Sequence, residues 1–183
     1  MTEPMQGGRR RIDLVLAEDF LADLDSVDLD DVRRRRREAE QEEADLSYAR
    51  RMLQGRMDIL RAELSRRSEP GSGDEKVVDH LSRILSDAGR ADHGLGRFLT
   101  VEPSRVDEHR RAVEQVIADV GVSDVEGHSD EDVRAALERL EEFERGVSET
   151  RQRVQKVMDA LTTEITRRYR TGAANVDDLL AER

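Results

Sequence analysis

Glu43, Ser47, Arg50, Gln54 and Asp58 follow one another at spacings of four, three, four and four residues. Glu144, Ser148, Arg151, Gln155 and Asp159 repeat the same types at the same spacings, at an offset of 144 − 43 = 101 residues. These are groups that recognise rather than react. Carboxylates accept hydrogen bonds, a guanidinium offers a planar fork of donors, and Ser and Gln can donate to phosphate or ribose oxygens. Acid–base catalysis would want a nucleophile, a base and a group orienting the base, and no such set is visible. A phosphodiesterase would want metal ligands, but His80, His93, His109 and His128 have no i, i+4 partner and sit in different segments. The residues therefore read as a binding surface and not as an enzyme's active site.

At about 100° per residue the five positions of each copy fall in a strip roughly 80° wide. The strip lies beside an apolar seam whose register also repeats: Leu46 with Val147, Leu53 with Val154, Met57 with Met158, Leu60 with Leu161 and Leu64 with Ile165. Antiparallel pairing of the two segments sets Glu43 beside Asp159, Ser47 beside Gln155, Gln54 beside Ser148 and Asp58 beside Glu144, with Arg50 and Arg151 meeting near the middle. Such a site is palindromic about a two-fold axis and suits a two-fold-symmetric ligand. Carboxylate facing carboxylate is destabilising unless something donates to both. Guanine qualifies: its N1–H and N2–H₂ edge pairs with a carboxylate, and its O6 and N7 accept from an Arg fork. The plainer reading is the solvated face of two charged helices. Identical spacing in both copies, with an uncharged Gln and a helix-weak Ser held in place, argues against it.

The elements that must carry this strip are helices. Charged residues make up 40% of the 183-residue chain and aromatics 3%, with three prolines and no tryptophan. That composition builds long helices burying a narrow stripe rather than a thick core. Val32, Ala39, Leu46, Leu53 and Leu60 recur every seventh residue, as in a coiled coil. A long helix is expected over about 28–67, with Asp28 as N-cap and Asp30 and Asp31 in the first turn. It ends before Glu69-Pro70-Gly71-Ser72-Gly73. Short helices are expected at about 74–88 and 103–120, separated by a glycine-containing loop at 89–101. Ser129 and Asp132 open a second long helix over about 130–171 as a capping-box variant, and Gly172 suits its C′ position. Residues 1–11 are expected to be disordered, 12–172 to form a single helical domain, and 173–183 a flexible tail. The segment from Ile12 to Leu29 docks either on its own chain or on a partner. The fold class is all-α, an antiparallel coiled-coil hairpin of two long helices with shorter connecting helices. Gly55 and Gly146, inside the two motifs, are either a tolerated cost of about 1 kcal/mol each or places of close approach by a ligand or partner.

Net charge of −11 disfavours direct nucleic-acid binding, which needs phosphate neutralisation. The basic block Arg33 to Arg37 runs straight into Glu38, Glu40, Glu42 and Glu43 and reads as a helix face. With no cysteine, no membrane-spanning run and acids interrupting the apolar stretch after Arg9-Arg10-Arg11, the sequence suits a reducing cytoplasm.

The E-x3-S-x2-R-x3-Q-x3-D motif, present twice, resembles that of the RsiG family of actinobacterial anti-sigma factors. The likeness covers both long helices in order and spacing and says less about residues 70–128 and the termini. It implies a coiled coil that binds cyclic di-GMP, two stacked molecules, through Glu43, Ser47, Arg50, Gln54, Asp58, Glu144, Ser148, Arg151, Gln155 and Asp159, with no metal. It further implies a 1:1 complex with a WhiG-like sporulation sigma factor, held when nucleotide is bound. Two motifs in one chain imply that one chain completes the site. The rival reading is a coiled-coil protein-interaction scaffold that binds no nucleotide.

Overall fold

A computed structural model describes residues 4–68, 107–119 and 125–172. Among them there is no strand. The elements are α1 (Arg11–Val15), a 3-10 turn (Glu18–Leu21), α2 (Leu29–Ser68), α3 (Asp107–Asp119), a second 3-10 turn (Val125–Gly127) and α4 (Asp130–Arg170). The expected short helix at 74–88, the loop at 89–101, the start of the helix at 103–120 and the tail lie outside the described residues.

The caps act where the sequence places them. Asp28 accepts the Asp31 N–H through its side chain at 2.7 Å. At the start of α4 the Ser129 hydroxyl accepts the Asp132 N–H at 3.1 Å, and the Asp132 carboxylate accepts the Ser129 N–H at 3.2 Å. Gly172, at φ +73°, closes α4 in the left-handed conformation that glycine adopts without steric cost.

The chain groups into two compact units. One unit comprises Met1–Ser47 and Gly146–Arg183, the other Tyr48–Arg145.

In the first unit the N-terminal part of α2 runs antiparallel to the C-terminal part of α4. Arg33 donates to the Tyr169 hydroxyl, Arg36 to Thr162 at 3.0 Å, and Arg151 to Glu43 at 2.9 Å. Ile12, Val15, Val32, Ala39, Leu46, Val147, Val154, Val157 and Leu161 are its buried apolar residues. The segment from Ile12 onward docks on its own chain: Arg35 donates to the Phe20 carbonyl at 2.7 Å and lies over the Phe20 ring. Residues 4–10, expected to be disordered, fold back because the buried Asp13 carboxylate collects donors. It accepts the Met5 N–H at 2.7 Å, the Arg10 N–H at 3.1 Å and the Arg10 guanidinium at 2.6 Å. Led by the Arg10 side chain, these donors hold its pKa at about 2 against the opposing pull of burial. A Cβ at Gly8 would lie 2.1 Å from Asp13 Oδ2, so only glycine lets the chain pass there.

In the second unit the C-terminal part of α2 runs antiparallel to the start of α4, with Arg61 donating to Glu141 at 2.7 Å and Arg67 to Asp130 at 2.9 Å. Ala49, Leu53, Met57, Leu60, Ala62, Val113, Val133, Ala136 and Leu140 are buried. Leu64, expected on the seam, is only half-buried.

A second repeat emerges at the C-terminal turns. Glu63-x2-Arg66-Arg67 in α2 matches Glu164-x2-Arg167-Arg168 in α4 at the same offset, 164 − 63 = 101. In one unit Arg67 is held by Glu63 at 2.6 Å and donates to the carbonyls of Val125 (2.6 Å) and His128 (2.7 Å). In the other Arg168 is held by Glu164 at 2.7 Å and donates to the Leu24 carbonyl. Val125 and Leu24 are themselves 125 − 24 = 101 residues apart. Each clamp thus anchors the turn that precedes a long helix. Arg66 and then Arg67 lower the Glu63 pKa, while Arg167 and then Arg168 bring that of Glu164 from 4.5 to about 2.

Two consequences are measurable. Leu53→Ala, at a fully buried position, is expected to lower unfolding free energy by about 2–5 kcal/mol. Met52→Ala next to it, 39% exposed, should stay within about 0.5 kcal/mol. Denaturant midpoints compare them, and equal losses would contradict the seam. Glu164 has a depressed folded pKa, so the stability from its charge is present above about pH 4.5 and lost as pH falls toward 2. Thermal melts of wild type and Glu164→Gln should differ at pH 7 and converge toward pH 2; a gap independent of pH would refute the clamp's ionic character.

Candidate functional site

The ten motif residues divide between the two units, and in each the donors of one helix meet a glutamate of the other. In the first unit Glu43 Oε1 accepts from Arg151 Nη1 at 2.9 Å, Gln155 Nε2 at 3.2 Å and Ser47 Oγ at 3.0 Å. In the second, Glu144 Oε1 accepts from Arg50 Nε at 2.8 Å and Gln54 Nε2 at 3.3 Å. The two constellations are the same set at the offset of 101, with the roles of α2 and α4 exchanged. Ser148 is half-buried.

This differs from the expected facing of carboxylates. Glu43 meets Arg151 and Gln155, eight and four residues short of Asp159, and Glu144 meets Arg50 and Gln54, eight and four short of Asp58. Elsewhere the expected register holds: Arg33 with Tyr169 and Arg61 with Glu141 stand in the same antiparallel relation as Glu43 with Asp159. Long guanidinium and amide side chains reach along the facing helix, because an opposite charge one or two turns away is a better neighbour than a like charge directly across.

Burial grades the set. Glu43 and Glu144 expose 21% and 18% of their side chains, Arg151 21% and Arg50 37%. Gln54, Gln155, Ser47 and Ser148 are half-buried, and Asp58 and Asp159 are exposed. Asp58 pairs with Arg61 at 3.3 Å. No described residue donates to the Asp159 carboxylate. Arg151 Nε is buried without a hydrogen-bond partner among the described residues, a donor withheld from water that a ligand atom would satisfy. A Cβ at Gly55 would meet nothing within 4 Å; no neighbouring atom of the chain requires glycine there.

Four members of the basic block are engaged within their own unit: Arg33 with Asp30 and Tyr169, Arg34 with Asp31, Arg35 with the Phe20 carbonyl and Arg36 with Glu40. His109 is buried on α3 and His128 half-buried; His80 and His93 lie outside the described residues. Among the described residues no cluster of His, Asp or Glu could hold a metal ion, and no helix is long and apolar enough to cross a membrane.

A search among curated proteins finds no match. The model of the family described as RsiG-like matches residues 18–85 and 119–183. The matched segments begin 119 − 18 = 101 residues apart, the spacing that relates the two constellations and the two clamps. Since they take in more than half of the chain and the whole of both long helices, the chain belongs to the RsiG-like family, whose members are anti-sigma factors rather than enzymes.

Proposed function

We propose that this chain is a cyclic di-GMP-binding anti-sigma factor, one that sequesters a WhiG-like sporulation sigma factor in a 1:1 cytoplasmic complex when loaded with nucleotide. The observation that carries the reading is the duplicated constellation: Arg, Gln and Glu in the same hydrogen-bonded arrangement in each unit, with an aspartate one turn beyond each glutamine. A ligand made of two identical halves finds the same chemistry twice. Guanine supplies donors for carboxylates and acceptors for guanidinium, and its phosphodiester takes donors from Ser, Gln or Arg. The proposed ligand is two stacked cyclic di-GMP molecules. The buried Nε of Arg151 supports the same reading, since a bound oxygen or N7 atom would complete it.

The mechanism is linkage. A nucleotide that contacts the chain–sigma complex better than the separate chains stabilises the complex by that difference, and its loss releases the sigma factor. No covalent step is involved. Direct nucleic-acid binding does not suit a chain of charge −11 whose basic block is largely spent on internal partners.

Titration of cyclic di-GMP into the purified chain, alone and with the sigma factor, tests the proposal. Saturable binding in at least one mixture is expected, with recovery of unaltered nucleotide. Arg151→Ala should weaken it at least tenfold, the loss of a charge-assisted contact worth about 1.5–3 kcal/mol. Absence of binding in both mixtures would return the chain to the class of protein-interaction scaffolds.

A further inference from the structure

We propose that the N-terminal arm of the first unit is a docking site for a basic, amphipathic segment of the sigma factor, centred on the exposed side chains of Met5 and Leu14. The inference rests on the anti-sigma reading and deepens it by assigning one surface to that partner.

The repeat shows what sets the arm apart. Arg10-x-Ile12-Asp13-x-Val15-Leu16-Ala17 returns as Arg111-x-Val113-Glu114-x-Val116-Ile117-Ala118 at the same offset, 111 − 10 = 101. In sequence, α1 and α3 are thus two copies of one short helix. The inward position is apolar in both, and Ile12 in one unit and Val113 in the other are buried. The outward position differs. Where α3 presents Gln115 to water, α1 presents Leu14, 52% exposed, and the residues that fold back before α1 present Met5, 61% exposed. Met5 and Leu14 line one groove of about 600 Å³, together with Leu16 and Ala17. A single exposed leucine is ordinary, but two large apolar side chains on one concave surface mark a place for another molecule.

The arm holds that surface still. The Asp13 carboxylate accepts both the Met5 N–H and the Arg10 guanidinium, so one buried group ties residue 5 to the helix that carries Leu14. Arg11 reaches Asp45 on α2 at 3.6 Å, and Ile12 and Val15 are buried. A surface fixed before binding loses less freedom when a partner arrives.

Charge specifies the occupant. Glu18 and Asp19 line the same groove, both are exposed, and neither is ion-paired among the described residues. Asp13 is spent on Arg10, and Arg153 is the one base among the described lining residues. Between Arg11 and Arg33 the chain has eight acids and no Lys, Arg or His. An apolar centre with an acidic rim complements a helix whose apolar residues are flanked by Lys and Arg. A protein that works on promoter DNA carries such bases to meet phosphate. The sigma factor therefore fits this groove better than a second copy of a chain of charge −11 does.

Binding of the full chain to the sigma factor, with cyclic di-GMP present, is measured at low and high salt. Met5→Gln with Leu14→Gln, which gives α1 the outward residue of α3, should weaken the complex about tenfold or more. Helicity and melting should stay as in wild type, because both side chains are exposed. Adding Gln115→Leu, which moves the apolar group to the other copy, should not restore binding. Glu18→Gln with Asp19→Asn should slow association and flatten its salt dependence, with dissociation little changed. Wild-type affinity in the double glutamine variant, or rescue by Gln115→Leu, overturns the docking site. An unchanged salt dependence in the acid variant overturns the basic character of the partner segment. A wild type that does not bind the sigma factor removes the anti-sigma reading itself and this inference with it.

Discussion

The constraint on which the rest depends is the narrowness of the apolar row. α2 gives up to full burial one apolar residue in seven, Val32, Ala39, Leu46, Leu53 and Leu60, and α4 does likewise with Val133, Leu140, Val147, Val154 and Leu161. A coiled coil ordinarily adds a second apolar row three residues further on. In α2 that row reads Arg35, Glu42, Ala49, Arg56 and Glu63, and Glu42 and Glu63 have no exposed surface. The hydrophobic effect brings the helices together mainly along one line, with Ala49, Ala136 and Val157 as the apolar members of the second, and charge completes the rest of that second line. Such charges stabilise only when partnered, because removing one member strands the other away from water.

Arginine is the residue that makes this workable. Its planar fork satisfies several acceptors at once and is more weakly hydrated than an ammonium. Arg67 meets Glu63, Asp130 and the carbonyls of Val125 and His128, and Arg168 meets Glu164 and the carbonyl of Leu24. The motif arginines follow the same logic toward Glu144 and Glu43. Structural clamp and candidate site are therefore one device at two positions along each helix, and both are duplicated because the sequence repeats at a single offset. The clamps close on the chain's own carbonyls, whereas among the described residues the motif leaves the Asp159 carboxylate without a donor and Arg151 Nε without a partner, as Arg56 Nε is left outside the motif.

The features set by local rules were legible in the residues. Asp28, Ser129 with Asp132, and Gly172 act as caps because capping depends on the residue and its nearest neighbours. The seven-residue row is buried as its period implies, and the helix limits 28–67 and about 130–171 compare with Leu29–Ser68 and Asp130–Arg170. Other features depend on what faces a residue across space. Periodicity treats Glu and Arg as outward-facing, so it marks neither Glu42 and Glu63 as core residues nor the E-x2-R-R repeat as a clamp. The N-terminal residues looked disordered because nothing local reveals that Asp13 gathers the Met5 and Arg10 amides. Repetition reveals the motif but not its internal partners, because aligning residues directly across from one another ignores how far an arginine reaches.

That reach bears on regulation. With the motif glutamates satisfied by arginine and glutamine, the chain has no large deficit for a nucleotide to repair. Binding exchanges some internal hydrogen bonds for external ones, and such exchanges are close to neutral. Control by ligand-induced folding of this helix pair is thus the poorer fit. A ligand shifts an equilibrium only by its differential affinity for the two states. With helices whose packing and caps already stand without it, the difference must lie at the surface where the partner adds contacts. Under the proposed function, the coupling would lie at the exposed surface of the helices and not in the seam or the clamps, so it would not require taking the fold apart.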